Sequence, residues 1–240
     1  MTALDGNVES VAHALALESA MFAEPHAGCG VWWTRPGLVV PRSLARLPGF
    51  PRARDALAAQ GLPVVVRGSG GGVVPQGPGI LNVTVTVPLR AQRHATQADF
   101  AWLAAPLRRW LAERDITTEV RSVPGSFCDG DHNVVVSGRK LAGTAQRRGR
   151  SRALLHMVLL VRPDLERSLD SVARLRRLLG RPGALSLHAH TTLASLAPDL
   201  GDVEVVAAEL RTRFRRSLAL RPDRQSPASN AMCSSPGDAA

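Results

Sequence analysis

The chain has 240 residues, 45% of them hydrophobic and 21% charged, with a formal net charge of +10 at pH 7. That length suits one domain with a substantial core, and no apolar run reaches the roughly 20 residues of a membrane span, so no membrane association is expected. The basic excess admits an anionic ligand or an acidic protein partner, whereas 4% aromatic content with no Tyr offers no stacking platform for bases, so no nucleic acid is expected either.

In chain order, the N-terminus carries Asp5 and Glu9 where a secretory leader needs positive charge. Cys29, Cys128 and Cys233 form neither a disulfide framework nor a CxxC metal pair. A reduced, cytoplasmic setting is the expectation. Val8, Val11, Ala12, Leu15 and Met21 or Phe22 fall near helical spacing and predict a helix over 7–23. Val31–Trp33 and Leu38–Val40 read as short strands around the turn Arg35-Pro36-Gly37. The two Trp are read as core filler in preference to the lining of an acyl pocket. A short, solvated helix follows over 51–60, and Leu62–Val66 reads as a buried strand.

That strand runs into Arg67-Gly68-Ser69-Gly70-Gly71-Gly72-Val73-Val74. Each Gly costs backbone entropy, and a hairpin turn needs only one or two. So dense a cluster suits a backbone that approaches a ligand closely, with N–H groups turned to an anion or an acyl chain. It matches neither GxGxxG nor a P-loop. After the turn Gln76–Gly79, Leu81–Val87 alternates apolar and polar residues and predicts a half-buried strand. Residues 97–114 predict an amphipathic helix with Phe100, Leu103, Leu107 and Leu111 inward. A strand over 117–120, a polar loop over 124–133 and a strand over 134–136 lead to Ser137-Gly138-Arg139-Lys140. A buried strand over 153–161 carries His156, read as a hydrogen-bonded core residue. Helices follow near 164–180, 192–197 and 202–218, and 221–240 reads as a disordered tail after a single domain over 1–220. Adjacent strands with flanking helices indicate α+β, with a central mixed sheet.

Of the 30 basic residues only Lys140 is Lys; the others are Arg. Arg replaces Lys at most solvated positions, but not where a compact ammonium must meet a carboxylate or phosphate oxygen in a tight pocket. Lys140 is therefore the first candidate for chemistry.

Two motifs stand in order: Arg67-x-Ser69-Gly70-Gly71-Gly72-x-Val74 and Gly138-Arg139-Lys140-Leu141-Ala142-Gly143-Thr144-Ala145-Gln146. The pair resembles the R-R-x-S-G-G-G-x-V and G-K-K-[IL]-x-G-[ST]-A-Q motifs of the catalytic domain shared by lipoate–protein ligases and octanoyltransferases, related to biotin–protein ligases. The likeness extends over residues 8–218, through Asn133, His156 and the segment Ser186–Leu193. Val66 stands where the family has a second Arg, Gln76 where octanoyltransferases have His before Gly-Pro-Gly, and Met157 where Gly commonly follows the His. The resemblance implies that Lys140 binds the acyl carboxyl. It implies further that Arg67, Ser69 and Gly70–Gly72 form the acyl and nucleotide loop, and that Asn133, Gly143, Thr144 and Ala145 line the pocket. It also implies lipoate or octanoate as substrate, ATP with Mg²⁺ in a ligase, and a lipoyl domain or glycine-cleavage H-type protein as acceptor.

Transferases of this family use a Cys downstream of the Lys, and here that region holds only Cys233, in the tail. Cys128 precedes Lys140 and is read as filler. The ligase route, which needs no protein nucleophile, is therefore the favoured expectation, with a separate accessory chain supplying the second domain that many ligases carry. An acyltransferase and a non-catalytic binder of lipoyl domains are the alternatives. The run Arg147–Arg152 reads equally as a docking patch or a solvated turn, Asp129 and Asp131 as turn residues before Mg²⁺ ligands, and His188-x-His190 as an unsupported zinc pair.

Overall fold

The computed structural model describes residues 4–89 and 96–221. The proposed tail beyond residue 221 lies outside them, as does Cys233. In chain order the elements are β1 (Asp5–Val8), α1 (Val11–Ala23), β2 (Gly28–Thr34), β3 (Gly37–Pro41), α2 (Arg42–Ala45), α3 (Phe50–Ala58), β4 (Val64–Arg67), β5 (Val74–Gln76), β6 (Ile80–Pro88), α4 (Thr96–Ala112), β7 (Glu119–Arg121), β8 (Asn133–Val136), β9 (Arg139–Arg148), β10 (Arg152–Leu160), α5 (Leu165–Leu178), α6 (Leu193–Leu196) and α7 (Val203–Ala219). A mixed seven-stranded sheet runs β1-β2-β6-β10-β9-β8-β7, and a three-stranded sheet runs β4-β3-β5. The fold is α+β, as expected.

The expected helix over 7–23 is divided. Asp5–Val8 pairs parallel with Val31–Thr34 as the edge strand, and Ser10 caps α1, its Oγ accepting from the His13 amide at 3.1 Å. The two strands expected around Arg35–Gly37 are present, and the turn carries the chain from one sheet to the other, β2 belonging to the large sheet and β3 to the small one.

Period-two alternation sorts the two central strands between separate cores. Leu81, Val83, Val85 and Val87 of β6, with Ala153, Leu155, Met157 and Leu159 of β10, meet Leu107, Trp110, Leu210 and Phe214 of α4 and α7. Each fully buried Leu or Phe there contributes roughly 2 kcal/mol. The opposite face of β6 carries Asn82, Thr84 and Thr86, all fully buried. The half-buried expectation for this strand is thus corrected: its polar face turns towards α1 and the small sheet, and their side chains take up most of its hydrogen-bonding groups. Val158 and Leu160 continue that face of β10 into a second core with α3 and α5.

The start of β6 is fixed by Gly79, whose φ is +78° and whose carbonyl accepts from the Val161 and Arg162 amides at 2.9 and 3.0 Å. A Cβ at Gly79 would lie 2.3 Å from the Arg162 carbonyl carbon and oxygen. Gly79→Ala is expected to cost about 3 kcal/mol or more and to lower the melting temperature by roughly 10 °C, measured by thermal denaturation.

Candidate active site

The space between the pocket face of the large sheet, the small sheet and α1 is a cleft of about 500 Å³, mouth included. Its apolar walls are Leu15, Trp32, Val39, Val74, Phe127 and Val158, and its polar groups include Arg67, Ser69, Cys128, Lys140, Thr144 and His156. Trp32 is both core filler and pocket wall: fully buried, it donates its indole N–H to Thr84 Oγ1 at 3.1 Å.

Lys140 reaches this cleft through a β-bulge. Val134 pairs with Ala142 but Val135 with Lys140, so Leu141 is an extra residue in β9. The insertion reverses the alternation and places Lys140 on the same face as Gly143. The side chain lies across that glycine: a Cβ there would meet Cε and Nζ at 3.0 Å. Lys140 is 1% exposed. Its Nζ donates to the Phe127 carbonyl at 2.6 Å and the Cys128 carbonyl at 3.0 Å, and sits 4.7 Å from the Phe127 ring centre. An ammonium has three donors, which leaves one for the cleft. Burial pushes its pKa down to about 8; Cys128 and Asp129 oppose the fall and the charge of Arg67 adds to it.

The glycine loop comes to the same place. The Arg67 guanidinium ties it together, with Nη2 donating to the Gly70 and Gly72 carbonyls at 2.8 and 2.9 Å. Arg67 also stands 3.7 Å from Cys128 Sγ, and the Gly72 amide donates to that sulfur at 3.0 Å. Gly71 adopts a φ of +103°, and a Cβ on it would sit 2.8 Å from the sulfur. Small residues are therefore required where the loop approaches Cys128. Cys128 itself holds a φ of +45°, a left-handed conformation costing on the order of 1–2 kcal/mol for a side chain with a Cβ. The effect is to aim its thiol into the cleft beside the Arg67 guanidinium and within reach of the Gly72 amide.

The residues expected to line the site are thus largely gathered together. Lys140, Arg67, Ser69, Gly143, Thr144 and Ala145 line the cleft; Gly70–Gly72 stand behind its lining, Gly71 and Gly72 closing on Cys128. Asn133 is buried and plays a supporting part, its Nδ2 donating to Asp129 Oδ1 and the Gly130 carbonyl at 2.9 and 2.8 Å. Asp129 has both oxygens engaged, by Ser122 Oγ, the Val123 amide and Asn133. Burial alone would raise its pKa, but these donors hold it below the usual carboxylate range.

Glu18 is a cleft residue that sequence reasoning missed, on a helix whose spacing reports only burial; Gln76, read from the sequence as a turn residue in place of a family His, is the last residue of β5 and lines the cleft. His156, read as a core residue, faces the cleft, with Nδ1 2.7 Å from Glu18 Oε2 and Nε2 3.1 Å from Asn82 Oδ1. Burial raises the Glu18 pKa, yet His156 and Thr84 outweigh it and the net direction is down. The arginine run is committed to structure for the most part: Arg148 pairs with Asp99 at 2.6 Å, Arg147 lies 4.4 Å from the Phe22 ring centre, and Arg152 donates to the His26 carbonyl. No helix among the described residues is long and apolar enough to cross a membrane.

Comparison with known proteins bears on the family and the fold. The chain is 40% identical over 155 residues to an octanoyl-[GcvH]:protein N-octanoyltransferase of Kyrpidia tusciae, covering 58% of this chain and 52% of that protein. It is 29% identical over 192 residues to the protein of the same name in Geobacillus kaustophilus, covering 78% and 67%. It therefore spans about half to two thirds of the length of these curated relatives. Among solved structures, lipoate-protein ligase A bound with ATP superposes with a TM-score of 0.68 at 14% identity, over 91% of this chain and 86% of that one. A bi-partite lipoate protein ligase from Thermoplasma acidophilum gives 0.60 at 15%, over 91% and 84%. These two likenesses speak for the fold. The family model for the lipoyl protein ligase A/B catalytic domain matches residues 50–215, which contain the glycine loop, Cys128 and Lys140, and the chain belongs to that family.

Proposed function

We propose that this protein is an acyltransferase that moves an octanoyl or lipoyl group between lysines of two proteins through a thioester on Cys128. The donor is an acylated glycine-cleavage H-type protein and the acceptor a lipoyl domain, in keeping with the names of its relatives. The observation that carries this reading is the Cys128 thiol, which lines an apolar cleft within 3.0 Å of the Gly72 amide and beside Arg67 and Lys140.

The chemistry follows from those contacts. The Cys128 thiolate attacks the acyl-lysine carbonyl, the C–N bond breaks, and the departing amine takes a proton from Lys140. The acceptor lysine, as a free amine, then attacks the thioester. The C–S bond breaks, the thiolate is restored, and Lys140 recovers a proton from the new amide nitrogen. A general acid that must also act as base works best with a pKa near ambient pH, and burial brings Lys140 to about 8. The Gly72 N–H and the Arg67 guanidinium offset negative charge at the reacting centre.

The ligase reading, with ATP and Mg²⁺ activating the free acid and an accessory chain completing the enzyme, uses the same Lys140 but leaves the Cys128 thiol idle. Mass spectrometry of the acceptor domain separates the two. Acylation from an octanoylated H-type protein without ATP is the expected result. Acylation only from octanoic or lipoic acid with ATP and Mg²⁺ would establish the ligase instead.

A further inference from the structure

His190 is only 2% exposed and lies outside the cleft lining, so the polar partners of its imidazole must be found within the protein. There are two. Nε2 is 3.1 Å from the Phe127 amide nitrogen, and Nδ1 is 2.9 Å from the Ser186 carbonyl. A backbone amide can only donate and a carbonyl can only accept, so the tautomer is fixed: Nδ1 carries the proton and Nε2 offers its lone pair. Burial pushes the His190 pKa down to about 4; the Ser186 carbonyl opposes this and the Lys140 charge reinforces it, so the ring is neutral in the physiological range.

Those contacts close a ring of hydrogen bonds between two segments. The Ser186 amide donates to the Gly125 carbonyl at 2.9 Å, His190 donates to the Ser186 carbonyl, and the Phe127 amide donates to His190. One residue on, the Thr191 amide donates to the Lys140 carbonyl at 3.0 Å, within a parallel bridge between Lys140 and His190. The His190 ring also stacks on Phe127, with centroids 5.0 Å apart and planes 12° apart, on the ring over which Lys140 Nζ sits. His190 thus touches the loop that carries Cys128 and the strand that carries Lys140, yet lines no part of the cleft.

We propose that His190 is a positioning residue: through the Phe127 amide it sets the two carbonyls that grip Lys140 and the left-handed turn that aims Cys128. The inference rests on the transfer reading of that pair. The Phe127 amide shares a rigid peptide plane with the Ser126 carbonyl, so losing its acceptor frees that plane to turn, and the change in Phe127 φ moves the next plane, which carries the Phe127 carbonyl and leads into Cys128. Displacements of this kind cost rate far more than binding, since a misplacement of about 1 Å lowers turnover by about 10²-fold.

Three substitutions test this. Gln at 190 reaches as far as Nε2 and offers an acceptor to Phe127, Asn keeps the nearer contact to Ser186 but falls short of Phe127, and Leu fills the space with neither. His190→Leu and His190→Asn are expected to lower kcat for acyl transfer by roughly 10- to 100-fold with KM for the acyl donor within about twofold, and His190→Gln to recover most of the loss. A purely structural role would lower the melting temperature of all three without this ordering. Wild-type turnover in both His190→Leu and His190→Asn would overturn the proposal while leaving the transfer reading intact. Should wild-type protein show no transfer, the rate of iodoacetamide alkylation at Cys128 at one fixed pH, read peptide by peptide, tests the positioning role directly. The charged and titratable groups facing that thiol are Arg67 from β4, Lys140 from β9, Asp129 from its own loop, and Glu18 and His156 across the cleft. The alkylation rate is expected to differ severalfold from wild type in the Leu and Asn variants and to stay in place with Gln. An unchanged alkylation rate in all three would sink the proposal in that case.

Discussion

Cys128→Ala is expected to abolish acyl transfer from a carrier protein, by a factor on the order of 10⁴ or more, while leaving the fold intact. Ala keeps the Cβ that Cys128 already carries at a φ of +45°, so the backbone strain is the same in both. What disappears is one sulfur and the contacts it receives from Gly72 and Arg67, with a stability change of about 1 kcal/mol. Cys128→Ser retains a hydroxyl in place, but a hydroxyl with a far higher pKa than a thiol gives almost no nucleophile at neutral pH, and a loss nearly as large is expected. Intact-mass spectra should show an acyl adduct on the wild-type chain after incubation with the donor alone, and none on either variant. Full acceptor acylation by Cys128→Ala, supplied with acyl acid and ATP, would instead place the chain among the ligases and make the thiol a bystander.

Cys128 also shows where sequence reading stops. The glycine loop and the lysine motif could be recognised apart, because each departs from ordinary composition: a dense run of Gly after a β-branched strand, and the lone Lys of an Arg-rich chain. Their meeting in space is a tertiary fact that the family resemblance implied and the structure displays. Nothing local marks the thiol. Its direction is set by a positive φ on a non-glycine residue and by Gly72 across the cleft, and neither leaves a trace in spacing. The bulge at Leu141 is hidden in the same way, since alternation through β9 would put Lys140 and Gly143 on opposite faces. The strand Asp5–Val8 was masked by the apolar spacing of the helix it precedes. Polar residues of β6 were taken for a solvated face because Asn and Thr usually are, and here the buried partners that satisfy Asn82 and Thr84 come from α1, β2, β5 and β10.

Lys140→Met is expected to reduce transfer by roughly 10³-fold, within the range lost when a positioned acid–base group is removed, without a matching loss of stability. Two opposing quantities decide the second part. Met leaves two carbonyls without their donor, at about 1–3 kcal/mol for the buried one of Phe127 and less for the part-buried one of Cys128. Against that, it removes a charge whose pKa falls from 10.5 to about 8 on burial, a penalty of about 3 kcal/mol at about 1.4 kcal/mol per unit. The two nearly cancel at pH 7, and the variant should melt within a few degrees of the wild type. The pH dependence then isolates the ammonium. Between pH 8 and 10.5 the unfolded chain holds a proton on Lys140 that the folded chain has released, so wild-type stability gains as pH rises through that window. The Met variant has no such group and gains nothing from this source. Subtracting the two denaturation series should therefore leave a positive slope that begins near pH 8 and flattens above 10.5. A flat difference would mean that the ammonium is not desolvated, and the acid–base role of Lys140 would lose its physical basis. Lys140→Arg keeps the charge but brings a planar fork to a site already closed around Gly143, and its transfer rate is expected to fall about as far as that of Met.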